Sequence, residues 1–407
     1  MHMDVGNEEF LPILLGSEVN AYVFARSFHE KYNIRTLLLD TYHCAGTYYS
    51  DLIEIELDEN FKNDDVFVYK LLEIAGRYKN RKKLLLACSD KYVELLTKHR
   101  EELKDAFVIP YISYELRNEL SNKSNFYKLC DKYHIEYPNT VVCNKKNWQK
   151  IKIPFDFPVI IKPTNSAMYF ELNFPGKLKV YRANNSSEFT SIIKAIYNSK
   201  YTDELIIQEY ITGDDTHERL LNVYCDNTGK VKKLCMRQVL LEEWSSHGIG
   251  SAAATINVDN EDITELLEKV KELLEDNHYI GFANFDFKLD PKDNKYKAFE
   301  INLRLGRSGY FITADGANVS ELYVDDFLLN KEIEFEIKEA NLLCSLIPLD
   351  LLFKYSTYEN KKRIEKLVLE HKYVNPLRYD RDSSQKRLEF LEKMDLYYYE
   401  MFREFNN

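Results

Sequence analysis

Two predicted β-strands, residues 282–289 and 296–303, carry polar side chains at alternate positions and are joined by a turn near Asp293. The polar positions are Asn284 and Asp286 on the first strand and Glu300 and Asn302 on the second. Because side chains alternate between the faces of a strand, each pair shares one face, and hairpin pairing brings Asp286 opposite Glu300. Carboxylate and amide oxygens without histidine or cysteine suit a hard cation such as Mg²⁺. The alternative is a solvated strand face that carries ordinary acidic residues.

Two lysines beside apolar segments are candidates for binding phosphate. Lys162 ends the apolar run at residues 159–161, and Lys123 begins a predicted helix. A compact ammonium charge at the end of a strand suits a phosphate oxygen, and the alternative for either lysine is an ordinary surface position. Further along, Gln208-Glu209-Tyr210-Ile211 offers backbone groups to an adenine edge, and Asp215 offers a carboxylate to a ribose.

The first 117 residues contain the elements of a parallel sheet with crossover helices. Predicted strands at 11–15, 35–39 and 83–87 alternate with predicted helices at 21–28, 68–78 and 93–103, which is the pattern typical of that architecture. Gly16 follows the first strand, but the rest of the GxGxxG dinucleotide fingerprint is missing. The segment therefore predicts a Rossmann-like scaffold in which Gly16 lines a substrate pocket.

The remainder of the chain mixes shorter elements around the polar hairpin. The additional predicted strands are 140–143, 157–163, 205–211, 220–225 and 231–239, and the predicted helices are 123–133, 187–198 and 263–277. The last ~75 residues are mostly helical and charged. The sequence therefore predicts an α/β protein.

Composition restricts the class of protein. The chain has 407 residues, 45% apolar and 14% aromatic, which allows more than one core and argues against disorder. Its 55 basic and 66 acidic side chains give a net charge of −11, so no nucleic-acid partner is expected. No apolar run approaches the about 18 residues that predict a membrane span. Seven cysteines without a CxxC pair indicate reduced thiols in a cytoplasmic protein.

The order of these groups along residues 118–331 resembles the ATP-grasp superfamily of ligases. The resemblance implies a Rossmann-like preceding domain at 1–117, an ATP-grasp domain of two α+β lobes at 118–331, and a mostly helical C-terminal region at 332–407. By resemblance, the residues that bind ATP are Lys123, Lys162, Glu209, Ile211 and Asp215. Those that bind two Mg²⁺ ions, for which Mn²⁺ is an alternative, are Asp286, Glu300 and Asn302. Lys162 and Arg304 match the catalytic residues that act on the transferring phosphoryl group.

A narrower resemblance, to the D-aspartate ligase branch, extends over nearly the whole chain. The segments that carry it include Gly16-Ser17-Glu18-Val19-Asn20-Ala21-Tyr22, Gly281-Phe282-Ala283-Asn284-Phe285-Asp286 and Asn375-Pro376-Leu377. Enzymes of that branch add D-aspartate to the lysine of a peptidoglycan precursor. The resemblance implies that ATP activates an amino-acid carboxylate as an acyl phosphate, which is then joined to an amine.

The substrate side of the site is less defined by sequence. The candidates for contacting the amino acid are Arg237, Arg307, Ser308 and Gly16. A guanidinium of Arg237 or Arg307 can grip a carboxylate with two hydrogen bonds, the turn that contains Ser308 offers backbone N–H groups, and Gly16 would line the pocket. Residues 244–251, which are rich in small side chains, are a candidate lid over the acyl phosphate.

Two other functions stay open at this point. One is an ATP-grasp ligase that makes a different dipeptide, a natural-product amide or a carboxylation product. The other is a nucleotide-binding regulator without turnover, against which the complete set Asp286, Glu300, Asn302 and Arg304 argues. The sequence does not specify the amino acid or the acceptor amine, and a homodimer is compatible with it.

Overall fold

The structure, a computed structural model, describes residues 5–164, 168–169, 172–243, 250–259 and 262–404. Its first sheet is parallel, in the order β3-β2-β1-β4. The strands are β1 (Phe10–Leu15), β2 (Thr36–Asp40), β3 (Ile53–Leu57) and β4 (Lys82–Ala87). The helices that connect and follow them are α1 (Val19–Tyr32), α2 (Asp64–Arg77), α3 (Asp90–Lys98) and α4 (Arg100–Leu103). β1, β2 and β4 are almost wholly buried, as expected for parallel strands covered on both faces.

A small antiparallel sheet follows, in the order β5-β8-β6-β7. Its strands are β5 (Thr140–Cys143), β6 (Val159–Pro163), β7 (Tyr181–Ala183) and β8 (Leu205–Glu209). The helices α5 (Tyr114–Ser121) and α6 (Lys123–Lys132) lead into it, and α7 (Ser186–Asn198) connects its last two strands. The Asn122 side chain caps α6 by accepting from the Asn125 backbone N–H, which fixes Lys123 at the first turn of the helix.

The largest sheet is built mostly from antiparallel strands, in the order β13-β12-β9-β10-β11-β15-β16, with β14 paired to β10. Its strands are β9 (Glu218–Cys225), β10 (Val231–Glu242), β11 (Ala252–Asn257), β12 (Gly281–Asp290), β13 (Lys295–Asn302), β14 (Glu336–Ile337), β15 (Leu343–Ser345) and β16 (Tyr373–Val374). Its helices are α8 (Thr264–Asp276), α9 (Tyr310–Ala314), α10 (Val319–Tyr323), α11 (Leu349–Tyr355), α12 (Tyr358–Leu369) and α13 (Gln385–Glu404). The C-terminal region is thus mostly helical, but it also adds short strands to this sheet.

One hydrophobic core joins the first sheet to the largest sheet. Leu15 and Tyr92 belong to the same buried cluster as Leu221 and Phe285. The small sheet has a core of its own, which includes Ile161. The carboxyl edge of the first sheet is therefore packed rigidly against the β12–β13 side of the molecule.

Buried polar contacts join the end of the chain to its first helix. Asp382 is 1% exposed and accepts hydrogen bonds from the Tyr22 and Ser50 hydroxyls, both at 2.8 Å. The Arg387 guanidinium lies 4.4 Å from the centre of the Tyr22 ring. Arg26 donates to the backbone carbonyls of residues 375, 376 and 378 at 3.0–3.1 Å. Residues 375–387 are therefore part of the packing of the first helix.

The structure departs from the sequence prediction in a few elements. The strands β3, β7 and β11 and the helix α5 were not predicted, and the helix predicted at 93–103 is interrupted at His99. β3 alternates apolar and acidic side chains and lies at the edge of its sheet. Charged side chains are common on edge strands, so this alternation could have indicated the strand. The division into domains at 117 and 331 stays a prediction.

Candidate active site

The polar hairpin has the predicted register. β12 and β13 pair antiparallel, with Asp286 opposite Glu300 and Asn284 opposite Asn302. On the other face, Phe285 is fully buried in the core. This alternation is what brings the two carboxylates and two amides to one face of the sheet.

Charge is partly balanced within this face. Lys123 Nζ forms an ion pair with Glu300 Oε2 and holds the pKa of Glu300 below its usual range. Desolvation and the neighbouring charge of Glu300 raise the pKa of Asp286. Two carboxylates this close repel each other, so the face favours a cation between them.

The oxygen atoms that the hairpin offers as metal ligands fit a Mg²⁺ site. Asn302 Nδ2 donates to Asp286 Oδ2 at 3.2 Å, which leaves the amide oxygen of Asn302 for a cation. Within the described ranges, no three acidic, histidine or cysteine side chains converge as a complete metal site. Mg²⁺ accepts such a partial set of oxygen ligands, because it completes its octahedron with water and nucleotide phosphates.

Lys162, on β6 of the small sheet, faces the same cluster. Burial and the repulsion of the nearby Lys123 lower the pKa of Lys162 to about 7. Its Nζ lies 5.5 Å from the centre of the Phe299 ring. A buried ammonium beside a second ammonium is stabilised by any anion that enters, and a phosphate meets this requirement.

The residues predicted to bind adenine and ribose lie at positions 209–215, at the end of β8 and just after it. Glu209 ends β8, its carboxylate pairs with Lys292 at 2.9 Å, and its backbone N–H donates to the Asn139 carbonyl at 2.8 Å, so its side chain and its N–H are already engaged. Ile211 is buried. Asp215 Oδ2 accepts from the Glu242 backbone N–H at 2.9 Å. No contact in the structure tests their roles toward a nucleotide, which stay predictions.

Arg304 reaches from the end of β13 to the first sheet. Its Nε lies 2.9 Å from Asp90 Oδ1, at the start of α3. Arg307, three residues later, pairs with Glu243 Oε2 at 2.6 Å. Both guanidinium groups therefore have an anionic partner that a substrate carboxylate would have to replace or join.

Arg237 does not lie at the rim of a pocket, contrary to the sequence-based expectation. Its side chain is 1% exposed and donates to the backbone carbonyls of Ala340, at 2.9 Å, and Leu342. The guanidinium also lies 4.5 Å from the centre of the Phe311 ring. Arg237 is thus committed to holding the chain at 340–342 against the largest sheet.

Gly16 and Ser308 lie on opposite sides of one junction. Gly16 has a φ of +100°, and a Cβ there would lie 3.2 Å from the Tyr92 ring, so no other residue fits easily. Asn20, just after it, donates to the backbone carbonyl of Leu305 at 3.4 Å. The Gly16 turn is therefore next to the segment that carries Arg304, Arg307 and Ser308.

The predicted lid lies mostly outside the described residues, since 244–249 are not described. The ends of this segment are joined by a hydrogen bond from the Glu243 backbone N–H to the Ser251 carbonyl, at 2.8 Å. The two described flanks of the segment therefore lie side by side, and one of them, Glu243, is the partner of Arg307.

Sequence reasoning missed Asp90 and the buried amides of Asn20 and Asn222. Asp90 follows β4, and the carboxyl ends of parallel strands are where such folds bind ligands, so a signal was present. Asn222 interrupts the apolar run of β9, which is a second overlooked signal.

Comparisons with known proteins agree with this geometry. Residues 122–319 match the family described as the ATP-binding domain of the carbamoyl-phosphate synthase L chain. The chain is 37% identical over 400 residues to D-aspartate ligase of Enterococcus faecium (strain Aus0004), covering 95% of this chain and 94% of that protein. The chain therefore belongs to the ATP-grasp superfamily of ATP-dependent carboxylate–amine ligases, in the branch of D-aspartate ligase.

Solved structures confirm the fold predicted from sequence. N5-carboxyaminoimidazole synthetase from Staphylococcus aureus superposes with a TM-score of 0.58 at 16% identity, covering 82% of this chain and 80% of that one. The biotin carboxylase domain of 2-oxoglutarate carboxylase from Hydrogenobacter thermophilus gives 0.62 at 13%, covering 83% and 74%. L-amino acid ligase from Bacillus licheniformis gives 0.56 at 11%, covering 79% and 75%. None of the helices in the described part of the chain has the length and apolar character of a membrane crossing.

Proposed function

We propose that this ligase activates a small acidic amino acid, D-aspartate, and joins it to the side-chain amine of a lysine in a peptidoglycan precursor. The observation that carries the proposal is the 37% identity to a D-aspartate ligase over 95% of the chain. The polar hairpin supports it, because it supplies the charged groups that phosphoryl transfer needs.

In the first half-reaction, a carboxylate oxygen of the amino acid attacks the γ-phosphorus of ATP. The new carboxylate O–P bond forms as the bond to the β-phosphate oxygen breaks, giving an acyl phosphate and ADP. Lys123 and Lys162 hold the phosphates, and Arg304 stabilises charge that develops on the transferring group. Two Mg²⁺ ions held by Asp286, Glu300 and Asn302 supply further charge neutralisation when bound; Mn²⁺ is the alternative ion.

In the second half-reaction, the amine attacks the acyl carbon. The C–N bond forms, the C–O bond to phosphate breaks, and the amine loses a proton as inorganic phosphate leaves. The intermediate has to be shielded from water, and residues 244–251 are the proposed cover. Glu209 and Ile211 bind the adenine through their backbones, and Asp215 binds the ribose.

The proposal is tested by measuring ADP formation with single amino acids in the presence of a lysine-bearing muropeptide. We expect turnover with D-aspartate and none with D-alanine, and mass spectrometry should detect the aspartyl-lysine product. L-aspartate is the control for chirality. Turnover with a neutral amino acid and none with either aspartate would overturn the substrate assignment.

ATP and a cytoplasmic cell-wall precursor as substrates imply a cytoplasmic enzyme. A homodimer stays an expectation, which light scattering of the purified protein would check. A regulator without turnover is the less favoured proposal, because Arg304 lies close enough to Asp286 for their charges to interact, and nucleotide binding alone would not need that arginine.

A further inference from the structure

Three buried asparagines, Asn20, Asn222 and Asn284, meet around the backbone of residues 305–306 and form what we term the amide cluster. Their exposed fractions are 2%, 0% and 6%. Asn20 Nδ2 donates to the Leu305 carbonyl at 3.4 Å. A Cβ built on Gly306 would lie 2.9 Å from Asn284 Cγ and 3.2 Å from Asn222 Oδ1. The cluster thus lies where the first sheet meets the largest sheet, next to Arg304.

Polar atoms of the amide cluster have no hydrogen-bond partner among the residues that the structure describes. These atoms are Asn20 Oδ1, Asn284 Nδ2 and both amide atoms of Asn222. Existing bonds set the orientation of two of the amides: Asn20 Nδ2 donates to the Cys88 carbonyl at 2.7 Å, and Asn284 Oδ1 accepts from Asn302 at 3.4 Å. The α1 side of the junction therefore presents an acceptor, Asn20 Oδ1, and the β12 side presents a donor, Asn284 Nδ2.

A buried amide without partners costs folding free energy, so it calls for an explanation. Asn222 lies in the sequence Leu220-Leu221-Asn222-Val223, where an apolar side chain of similar size would suit the strand better. Ordered water is one source of partners, and a polar ligand is the other. The charges around the cluster favour the ligand.

Groups of opposite sign flank the amide cluster. Arg304 precedes Leu305, and Glu18 is the residue before the first turn of α1, two positions before Asn20. Glu18 is exposed at the edge of the junction; partial desolvation raises its pKa, while the charge of Arg304 acts in the opposite direction, so the two charges lie close enough to interact. In the same region, Ser89 Oγ before α3 is also buried and unpartnered within the described ranges.

We propose that this junction binds the amino-acid substrate as a zwitterion, with the amide cluster and Glu18 as its contacts. The amide nitrogens of Asn222 and Asn284 donate to a carboxylate of the substrate. Glu18 and Asn20 Oδ1 accept from its ammonium group, since an ammonium offers only donors. The inference rests on the proposed function for the presence of an amino acid, and it adds the residues that recognise it.

The test compares two ligands that differ only in the amine. D-Aspartate and succinate are titrated calorimetrically into enzyme saturated with Mg²⁺ and a non-hydrolysable ATP analogue. We expect wild type to bind D-aspartate about tenfold or more tightly than succinate, because succinate lacks the ammonium. Glu18→Gln should lose that preference, whereas Asn222→Leu should weaken both ligands. Glu9→Gln is the matched control, because Glu9 lies at the opposite end of β1 and is exposed.

The outcomes separate the two proposals. If wild type binds D-aspartate and Glu18→Gln keeps the full preference over succinate, the junction is not the ammonium site and this inference is wrong. If Asn222→Leu and Asn284→Leu both bind D-aspartate like wild type, the amide cluster is not a contact. If wild type binds neither aspartate enantiomer, the proposed function fails first, and the inference fails with it.

Discussion

The two ends of the candidate site satisfy their polar groups in opposite ways. At the proposed metal-binding end, Lys123 is paired with Glu300, and Asn302 donates to Asp286. At the amide cluster, Asn222 has no partner for either amide atom in the described part of the structure. The strand residues of the two ends are neighbours: Asn222, Asn284 and Asn302 form one cross-strand row, and Asp286 and Glu300 form the next row on the same face of the largest sheet.

The difference follows from the cost of burying a charge compared with the cost of burying a neutral amide. An unpaired buried charge is so unfavourable that the protein must supply a counter-charge before the ligand arrives. A neutral amide costs less, so a fold tolerates it unpartnered until a ligand binds. Small changes in packing should therefore have little effect on the metal-binding end. At the amide cluster, a substitution that removes an unpartnered amide should weaken ligand binding without lowering the free energy of unfolding.

The largest effect is expected at the metal-binding end. Asp286→Asn removes one charge from the cation site with almost no change in shape, so ADP formation should fall by about a thousandfold or more. The folded structure should persist, because the substitution also relieves repulsion with Glu300. Asp293→Asn, in the turn of the same hairpin, is the control. Near-normal turnover of Asp286→Asn at moderate Mg²⁺ would disprove the metal assignment.

Arg304 connects the two ends, and its loss should affect chemistry more than binding. Arg304→Ala should lower kcat by about a hundredfold, while the affinity for ATP changes by about twofold or less, because the arginine acts on charge that develops during transfer. Steady-state kinetics and nucleotide titration measure the two quantities. Equal losses in both would show that Arg304 is a ground-state contact.

Lys162 should couple nucleotide binding to protonation. Its pKa of about 7 leaves it largely neutral in the free protein at about pH 8, and ATP phosphates favour the charged form. Binding should therefore take up a proton, and affinity should fall as pH rises above about 7. Calorimetry in two buffers of different ionisation enthalpy measures the uptake. Lys162→Met should abolish the proton uptake and weaken nucleotide binding about tenfold. Lys146 is an exposed lysine near the small sheet, and Lys146→Met should change neither quantity.

The smallest effect is the one that tests the comparison most directly. Asn222→Leu should leave the free energy of unfolding unchanged or raise it by about 1 kcal/mol, because it removes unpartnered polar atoms. Asn318→Leu should lower it, since the Asn318 amide donates to the Ser27 carbonyl at 2.9 Å. Urea denaturation of both variants gives the answer. Equal destabilisation by both would mean that Asn222 has a structural role and that the two ends do not differ.

The register of the polar hairpin could be predicted from sequence because its information is local. Strand alternation and a short hairpin turn are enough to bring Asp286 opposite Glu300. The contact between Arg304 and Asp90 joins residues 214 positions apart, so no local pattern encodes it. Arg237 failed as a prediction for a related reason: whether a strand arginine faces a pocket or a backbone carbonyl depends on the chain that packs above it.

The contacts between the chain's end and its first helix bear on how the protein forms during synthesis. Tyr22 and Arg26 emerge early from the ribosome, but their partners lie at residues 375–387. The first helix therefore lacks part of its packing until residues 375–387 have been translated. Premature termination before residue 375 should leave a nascent product whose first helix lacks all of these contacts and is therefore held poorly.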